Sequence, residues 1–315
     1  MKKVDIVVPC YNEEEGLPVF YEVVSEITGN IPDALFTFIF VDDGSRDRTA
    51  QIMKELAAKN ERVKYILLSR NFGKESAMYA GFDMSEGDYV VVMDSDLQDD
   101  PALLPTMLEA MDEGYDCCAT RRVDRKGEPP IRSWFARRFY RLMNRFTDIE
   151  MIDGARDYRM MTRQMLDAIL RVTERERFSK GIFGWVGFQY KWLEYENVER
   201  TLGTTKWSFW KLFKYALDGI IAFTTTPLKM LMVLGGFISF SSIVFMLYKI
   251  IKTLVMGIDV PGYASIVVLV TFLGGMNIFA TGLVGLYLGN VYSEVKRRPI
   301  YVYKETNIGK DMEEK

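Results

Sequence analysis

Tyr89-Val-Val-Val-Met-Asp94-Ser95-Asp96-Leu-Gln98-Asp99-Asp100-Pro101 is a short apolar run that ends in a cluster of acids. The apolar part is too brief for a helix and fits a strand buried on both faces. Pro101, placed just after two acids, fits the first position of a helix. A strand with this ending delivers Asp94, Asp96 and the Gln98 amide at alternate positions of one turn. Three hard oxygen donors so spaced suit a divalent cation that bridges a diphosphate, which is the chemistry of a nucleotide sugar.

The sequence on the amino-terminal side repeats the pattern. Strand signals at 4–8, 36–41 and 63–68 alternate with helix signals at about 16–28, 47–59 and 74–84. Nearly continuous Val, Ile and Phe in such strands predicts an α/β fold, a mostly parallel sheet covered by helices on both faces. Ligands of such sheets bind beyond the strand carboxyl ends. Polar residues gather there three times: Pro9-Cys-Tyr11-Asn12-Glu13, Asp42-Asp43-Gly44-Ser45 and Asp94-Ser95-Asp96.

Composition narrows the chemistry further. The 315 residues include 40 Lys and Arg against 43 Asp and Glu, and no histidine. A histidine-based triad, a His-ligated zinc and a histidine base are thereby excluded, so carboxylates are left for acid-base and metal work. Nucleic acid is not among the expected partners. Cys10, Cys117 and Cys118 lack metal-ligand spacing and read as small buried side chains in a reducing compartment. Asp5, Pro9 and Glu13 interrupt any signal-peptide core, which predicts a cytoplasmic domain.

Beyond Pro227 the composition changes abruptly. Residues 230–248 and 260–293 contain no charged side chain; about 20 apolar residues suffice to cross a bilayer. The reading divides the chain into a domain at 1–205, an interfacial amphipathic helix at 206–226, a transmembrane hairpin at 227–293 with spans near 228–251 and 262–290, and a tail at 294–315. Lys206, Lys211, Lys214 and Lys229 precede the first span, and Lys296, Arg297 and Arg298 follow the second. Positive charge on both flanks predicts that the domain and both termini lie on the cytoplasmic side of the plasma membrane. Arg132, Arg137, Arg138, Arg141 and Arg145, interleaved with aromatic residues and without an acid, fit either an ordinary basic face or one that lies on lipid headgroups or an acceptor phosphate.

The strand-end motifs, together with Ser69-Arg70-Asn71-Phe72-Gly73-Lys74, resemble those of family 2 glycosyltransferases of the GT-A fold. The resemblance extends through Asp153-Gly154-Ala-Arg156-Asp157-Tyr158-Arg159, Arg177-Phe-Ser-Lys180-Gly181 and Arg200-Thr-Leu-Gly203-Thr-Thr205-Lys206-Trp207 to polyisoprenyl-phosphate glycosyltransferases. A domain of this kind followed by two spans is similar in architecture to the bactoprenol glucosyltransferases. Thr204-Thr205-Lys206-Trp207 departs from the family's more usual Ser-Lys-Tyr, as does Gly-Ala-Arg ahead of Asp157.

The resemblance implies roles for individual residues. Asp94, Asp96 and Gln98 would hold Mg2+ or Mn2+, with Asp96 central to catalysis, and Asp157 would serve as base or organiser. Pro9, Tyr11, Asn12, Glu13, Asp42, Gly73, Lys74, Asp94 and Ser95 would shape the nucleotide-sugar pocket. Arg156, Arg159, Arg177, Lys180, Arg200 and Lys206 would meet the acceptor phosphate, arginine being suited to bidentate grip. The expected partners are UDP-glucose, undecaprenyl or another polyprenyl phosphate, and membrane lipids, with a homo-oligomer, a tetramer, implied by relatives. Mannosyl, N-acetylhexosaminyl and aminoarabinosyl transfer to a polyprenyl or dolichyl phosphate stay open. A processive synthase is disfavoured, because Gln189-Tyr-Lys191-Trp192 only approximates Gln-x-x-Arg-Trp. A membrane scaffold or transporter subunit is the non-enzymatic alternative.

Overall fold

The computed structural model describes residues 1–122, 152, 154–175, 177–195, 224–256 and 262–309. The basic aromatic stretch, residues 206–223 of the expected interfacial helix (Lys206 among them) and Arg200 lie outside the described residues. The chain forms two units, 1–209 with 298–315, and 210–297.

In the first unit, β1 (Lys2–Cys10), α1 (Gly16–Gly29), β2 (Ala34–Asp42), α2 (Thr49–Lys59), β3 (Val63–Leu68), α3 (Lys74–Met84) and β4 (Tyr89–Val92) follow the predicted alternation. α4 (Leu104–Asp112), β5 (Cys117–Arg122), β6 (Ala155–Thr162), α5 (Arg163–Arg171), α6 (Ser179–Trp185) and β7 (Tyr190–Tyr195) continue it. The described strands form one sheet in the order β7-β5-β6-β4-β1-β2-β3, with β8 (Tyr303–Thr306) outside β3. β3, β2, β1 and β4 run parallel, as their unbroken apolar sequences require. Val4, Ile6, Val8, Phe20, Phe38 and Phe40 are buried in one core. Phe38 and Phe40 stack with ring centroids 5.9 Å apart, and Tyr21 meets Phe38 edge-on at 5.3 Å. All three cysteines are buried and free.

One antiparallel strand decides where the site forms. β6 pairs antiparallel with β4, Val92 facing Arg159, so the amino end of β6 lies at the edge where β1, β2 and β4 end. Two more residues along that register set Asp157 beside Asp94. A parallel strand would have carried its carboxyl end there instead.

The segment after the apolar region, read as a tail, returns to the sheet. β8 pairs antiparallel with β3. Tyr301 donates its hydroxyl to Asp83 of α3 at 2.8 Å, while Glu305 takes Lys54 at 2.6 Å and the Tyr65 hydroxyl at 3.0 Å.

The second unit contains α7 (Thr226–Met256) and α8 (Tyr263–Val295). Both are long and apolar enough to cross a membrane, and the stretches 226–245 and 272–295 are unburied. Phe237, Phe240, Phe279 and Leu288 are exposed, a pattern that water tolerates poorly over so large a surface.

Candidate active site at the strand ends

The carboxyl ends of β1, β2 and β4 and the start of α3 enclose a cavity of about 330 Å³. Pro9, Tyr11, Glu13, Gly73, Lys74, Asp94, Ser95 and Asp96, all singled out from sequence, line it with Asp43 and Asn71. Its walls are laced by main-chain donors. The Asn12 amide donates to Ser45 Oγ at 2.9 Å and the Arg46 amide to Asn12 Oδ1 at 2.9 Å, while the Glu13 amide donates to Thr49 Oγ1 at 2.8 Å. Asn12 thus shapes the loop, its φ of 56° being one that asparagine tolerates better than most residues.

Asp42 differs from the expectation. It is fully buried, and its carboxylate accepts from the Ser45 amide at 3.1 and 3.3 Å. The turn it closes needs Gly44, with φ of 71° and no room for a Cβ beside the Arg70 backbone. The next residue, Asp43, lines the cavity and accepts from the Phe72 amide at 2.7 Å and the Gly73 amide at 2.9 Å. Gly73, at φ 98°, can turn its amide that way just before α3 begins.

Lys74 is the hinge of the site. Its Nζ lies 2.7 Å from Asp94 Oδ1 and 2.7 Å from Asp157 Oδ2. Lys74 thus lines the cavity, as expected, and also bridges two carboxylates from different strands. Burial alone would raise the Asp157 pKa, but Lys74, Lys180 and Arg159 outweigh it and hold the carboxyl well below the usual carboxylate range. Burial likewise works against the Lys74 cation, yet Asp157 and Asp94 hold its pKa above the ordinary lysine value. Glu75, the next residue of α3, accepts from the amide of Ser179 at 3.1 Å and from its hydroxyl, which ties α3 to α6.

The expected cation-binding loop has its own support. The Gln98 amide donates to Asp96 Oδ1 at 3.2 Å, and Leu97 between them has φ 52°. Arg156, expected to meet the acceptor phosphate, instead donates Nε to Asp99 at 3.2 Å and Nη2 to Gln98 Oε1 at 3.3 Å. Asp99, 2% exposed, also accepts the Tyr195 hydroxyl at 3.0 Å. Burial raises the Asp99 pKa against the pull of Arg156. Neither Asp99 nor Tyr195 was expected at the site. Asp99 follows Gln98 directly, but beside Asp100 and Pro101 it reads as a helix cap, a task Asp100 performs by accepting from the Ala102 amide.

The other cations separate. Arg177 donates to the Val172 carbonyl and lies 4.5 Å over the Tyr79 ring, lining neither described cavity. Arg159 and Lys180 lie near Asp157. Among the described residues no group of three or more His, Cys, Asp or Glu side chains is arranged to hold a metal ion. Asp94 and Asp96 nevertheless share one cavity wall and offer only hard oxygen donors, a set that fits Mg2+ or Mn2+ when a diphosphate and water complete the shell.

The family profile described as Glycosyl transferase family 2 matches residues 5–170. The putative glycosyltransferase CsbB of Bacillus subtilis is 42% identical over 312 residues, covering 99% of this chain and 94% of that one. The uncharacterized glycosyltransferase sll0501 of Synechocystis is 40% identical, covering 96% and 95%. The SfII prophage-derived bactoprenol glucosyl transferase of Shigella flexneri is 38% identical, covering 98% and 99%. The chain belongs to glycosyl transferase family 2, and its sheet, with helices on both faces, is GT-A-like.

Proposed function

We propose that this glycosyltransferase moves glucose from UDP-glucose to the phosphate of undecaprenyl or a similar polyprenyl phosphate, at the cytoplasmic face of the plasma membrane. The observation that carries the reading is the Lys74 bridge, which sets Asp94 and Asp157 within reach of one ammonium group. Support comes also from the bactoprenol glucosyl transferase of Shigella flexneri, similar over nearly its whole length, and from two helices long and apolar enough to cross a membrane.

The reaction is a single displacement. An oxygen of the acceptor phosphate attacks the anomeric carbon, the bond from that carbon to the UDP oxygen breaks, and its electron pair leaves with UDP. Configuration inverts. Asp94 and Asp96, with the Gln98 carbonyl oxygen, would hold Mg2+ or Mn2+, which supplies charge neutralisation to the departing diphosphate when bound. Asp43 and the Asn12 and Asp42 turns keep the nucleotide pocket in shape.

Asp157 has little deprotonation to perform. A phosphate monoester has its second pKa near 6, so the acceptor is already mostly dianionic at neutral pH. The carboxylate, kept ionised by its cations, holds Lys74 in position and acts as an organiser of charge rather than as a base. Alignment and a preorganised charge field supply most of the acceleration.

Purified full-length protein would be incubated with undecaprenyl phosphate, Mg2+ or Mn2+ and one nucleotide sugar at a time. The lipid product is read by mass spectrometry. Glucosyl transfer that stops on chelation and returns with the cation is expected. Transfer of a different sugar would overturn the donor assignment, and no lipid product from any donor would overturn the acceptor.

A further inference from the structure

Arg156 lines neither the cavity at the strand ends nor a second one, of about 350 Å³ among β6, α6 and β7, where Arg159 and Lys180 lie. Its guanidinium turns instead to the loop after β4 and forms two bonds there. Nε donates to Asp99 Oδ1 at 3.2 Å and Nη2 to Gln98 Oε1 at 3.3 Å. Arg156 also stands in the Gly-Ala-Arg stretch that departs from the family's more usual sequence.

The sheet register brings the partners together. Across β5, Arg121 faces Ala155 of β6 on one side and Arg122 faces Tyr195 of β7 on the other. Arg156 and Tyr195 therefore reach one loop from two strands. The Tyr195 hydroxyl donates to Asp99 Oδ1 at 3.0 Å, the same oxygen that accepts from Arg156. Asp99 is 2% exposed, and a carboxylate so buried holds its partners firmly, because losing one leaves an uncompensated charge. A planar guanidinium with one arm on such a carboxylate has its other arm aimed. Here the aimed arm meets Gln98.

Gln98 gains most from being held. Its main-chain amide is tied to Asp96 Oδ1 at 3.2 Å, but its side chain has several rotatable bonds, and fixing them at the moment an ion binds is entropically costly. The bond from Nη2 fixes the amide oxygen beforehand. Groups that orient a metal ligand in this way govern affinity nearly as strongly as the ligands themselves.

We infer that Arg156 is a positioning residue for the cation site: clamped by Asp99 and Tyr195, it holds the Gln98 carbonyl oxygen ready for Mg2+ or Mn2+. The inference rests on the cation proposed for Asp94, Asp96 and Gln98 and adds what sets the third ligand. Its sign separates it from simple electrostatics. A positive charge near a divalent cation repels it, so an Arg156 that acted through charge alone would tighten binding on removal. Positioning requires the reverse.

Mn2+ binding to the full-length protein with saturating UDP, followed by electron paramagnetic resonance, tests this without turnover. Arg156→Met should weaken Mn2+ binding about tenfold. Arg156→Lys keeps the charge but not the fork, and should stay well short of the wild type. In a Gln98→Ala background, which has no amide oxygen to hold, Arg156→Met should have little further effect. Unchanged or tighter binding in Arg156→Met, wild-type binding in Arg156→Lys, or full additivity with Gln98→Ala would each overturn the inference. Tyr195→Phe removes a single hydroxyl and should weaken binding in the same direction by a smaller factor. Should the arginine variants fail to fold, unchanged Mn2+ binding in Tyr195→Phe overturns it instead.

The cation itself is checked by Asp96→Asn, which should abolish Mn2+ binding. A wild type that binds no Mn2+, or an Asp96→Asn variant that binds it normally, removes the cation assignment and the inference with it. Loss in Asp96→Asn with Arg156→Met unaffected removes the inference alone.

Discussion

The two sides of the site are built from different materials. On one side, at the ends of β1 and β2, carboxylates are satisfied by main-chain amides: Asp42 by Ser45, and Asp43 by Phe72 and Gly73. On the other side, around β6 and β7, side chains hold side chains, as in Arg156 with Asp99 and Asp99 with Tyr195. Backbone amides are fixed by the fold and give a stiff mould. Paired side chains depend on one another's rotamers, so that wall is the more easily rearranged. Lys74 joins the two sides.

The largest loss is expected where the donor wall carries charge. Asp96→Asn should reduce turnover by on the order of 10³-fold, the scale of losing one preorganised electrostatic group, with the circular dichroism spectrum unchanged. Turnover near wild type would reject metal-assisted transfer and favour a scaffold.

Lys74→Met breaks the join and should lower kcat about 10²-fold. It also has a pH signature. Lys74 helps to keep the Asp157 pKa below its ordinary value, so in the wild type any acid limb due to Asp157 falls below about pH 4. Without Lys74, Lys180 and Arg159 are left to oppose burial with less help, and that limb moves upward. The associated stability is complete above the unfolded carboxyl pKa and is lost as pH falls through the depressed folded one. Acid titration of kcat and of unfolding in both proteins checks this; coincident acid limbs would remove Lys74 as the cause.

Asp99→Asn tests whether the Arg156–Asp99–Tyr195 network governs the proposed cation-binding loop. Arg156 would lose its ionised partner, Gln98 would lose a fixed neighbour, and the Mn2+ concentration for half-saturation should rise about tenfold, worth about 1.4 kcal/mol. Direct Mn2+ binding by electron paramagnetic resonance should show the same shift. The smallest effect on rate belongs to Asp42→Asn. It weakens a buried turn and should cost roughly 1–3 kcal/mol of stability while changing kcat less than Asp96→Asn does. A denaturant titration beside a rate assay separates the two quantities.

The parallel half of the fold was readable because its strands are long apolar runs. β1 to β4 and the helices between them fall within a few residues of the boundaries read from the sequence. Later strands carry weaker signals. β5 reads Cys-Cys-Ala-Thr-Arg-Arg, and β8 is only Tyr-Lys-Glu-Thr, so neither shows a sustained pattern. The lining of the cavity at the ends of β1, β2 and β4 was legible because most of its residues follow strands directly. Asp99 was not, since its partners Arg156 and Tyr195 are 57 and 96 residues away in the chain. Asp42 and Asp43 illustrate a finer limit: adjacent acids look alike on paper, and the turn geometry decides which one meets the cavity.

β8 also sets an order of assembly. Its contacts with Tyr65 span about 240 residues, and both apolar helices must be synthesised before Tyr303–Thr306 emerges. During translation the outer hydrogen-bonding edge of β3 is therefore bare, a surface prone to pairing with other chains. Closing that edge makes the finished sheet a record that the helical hairpin has already left the ribosome.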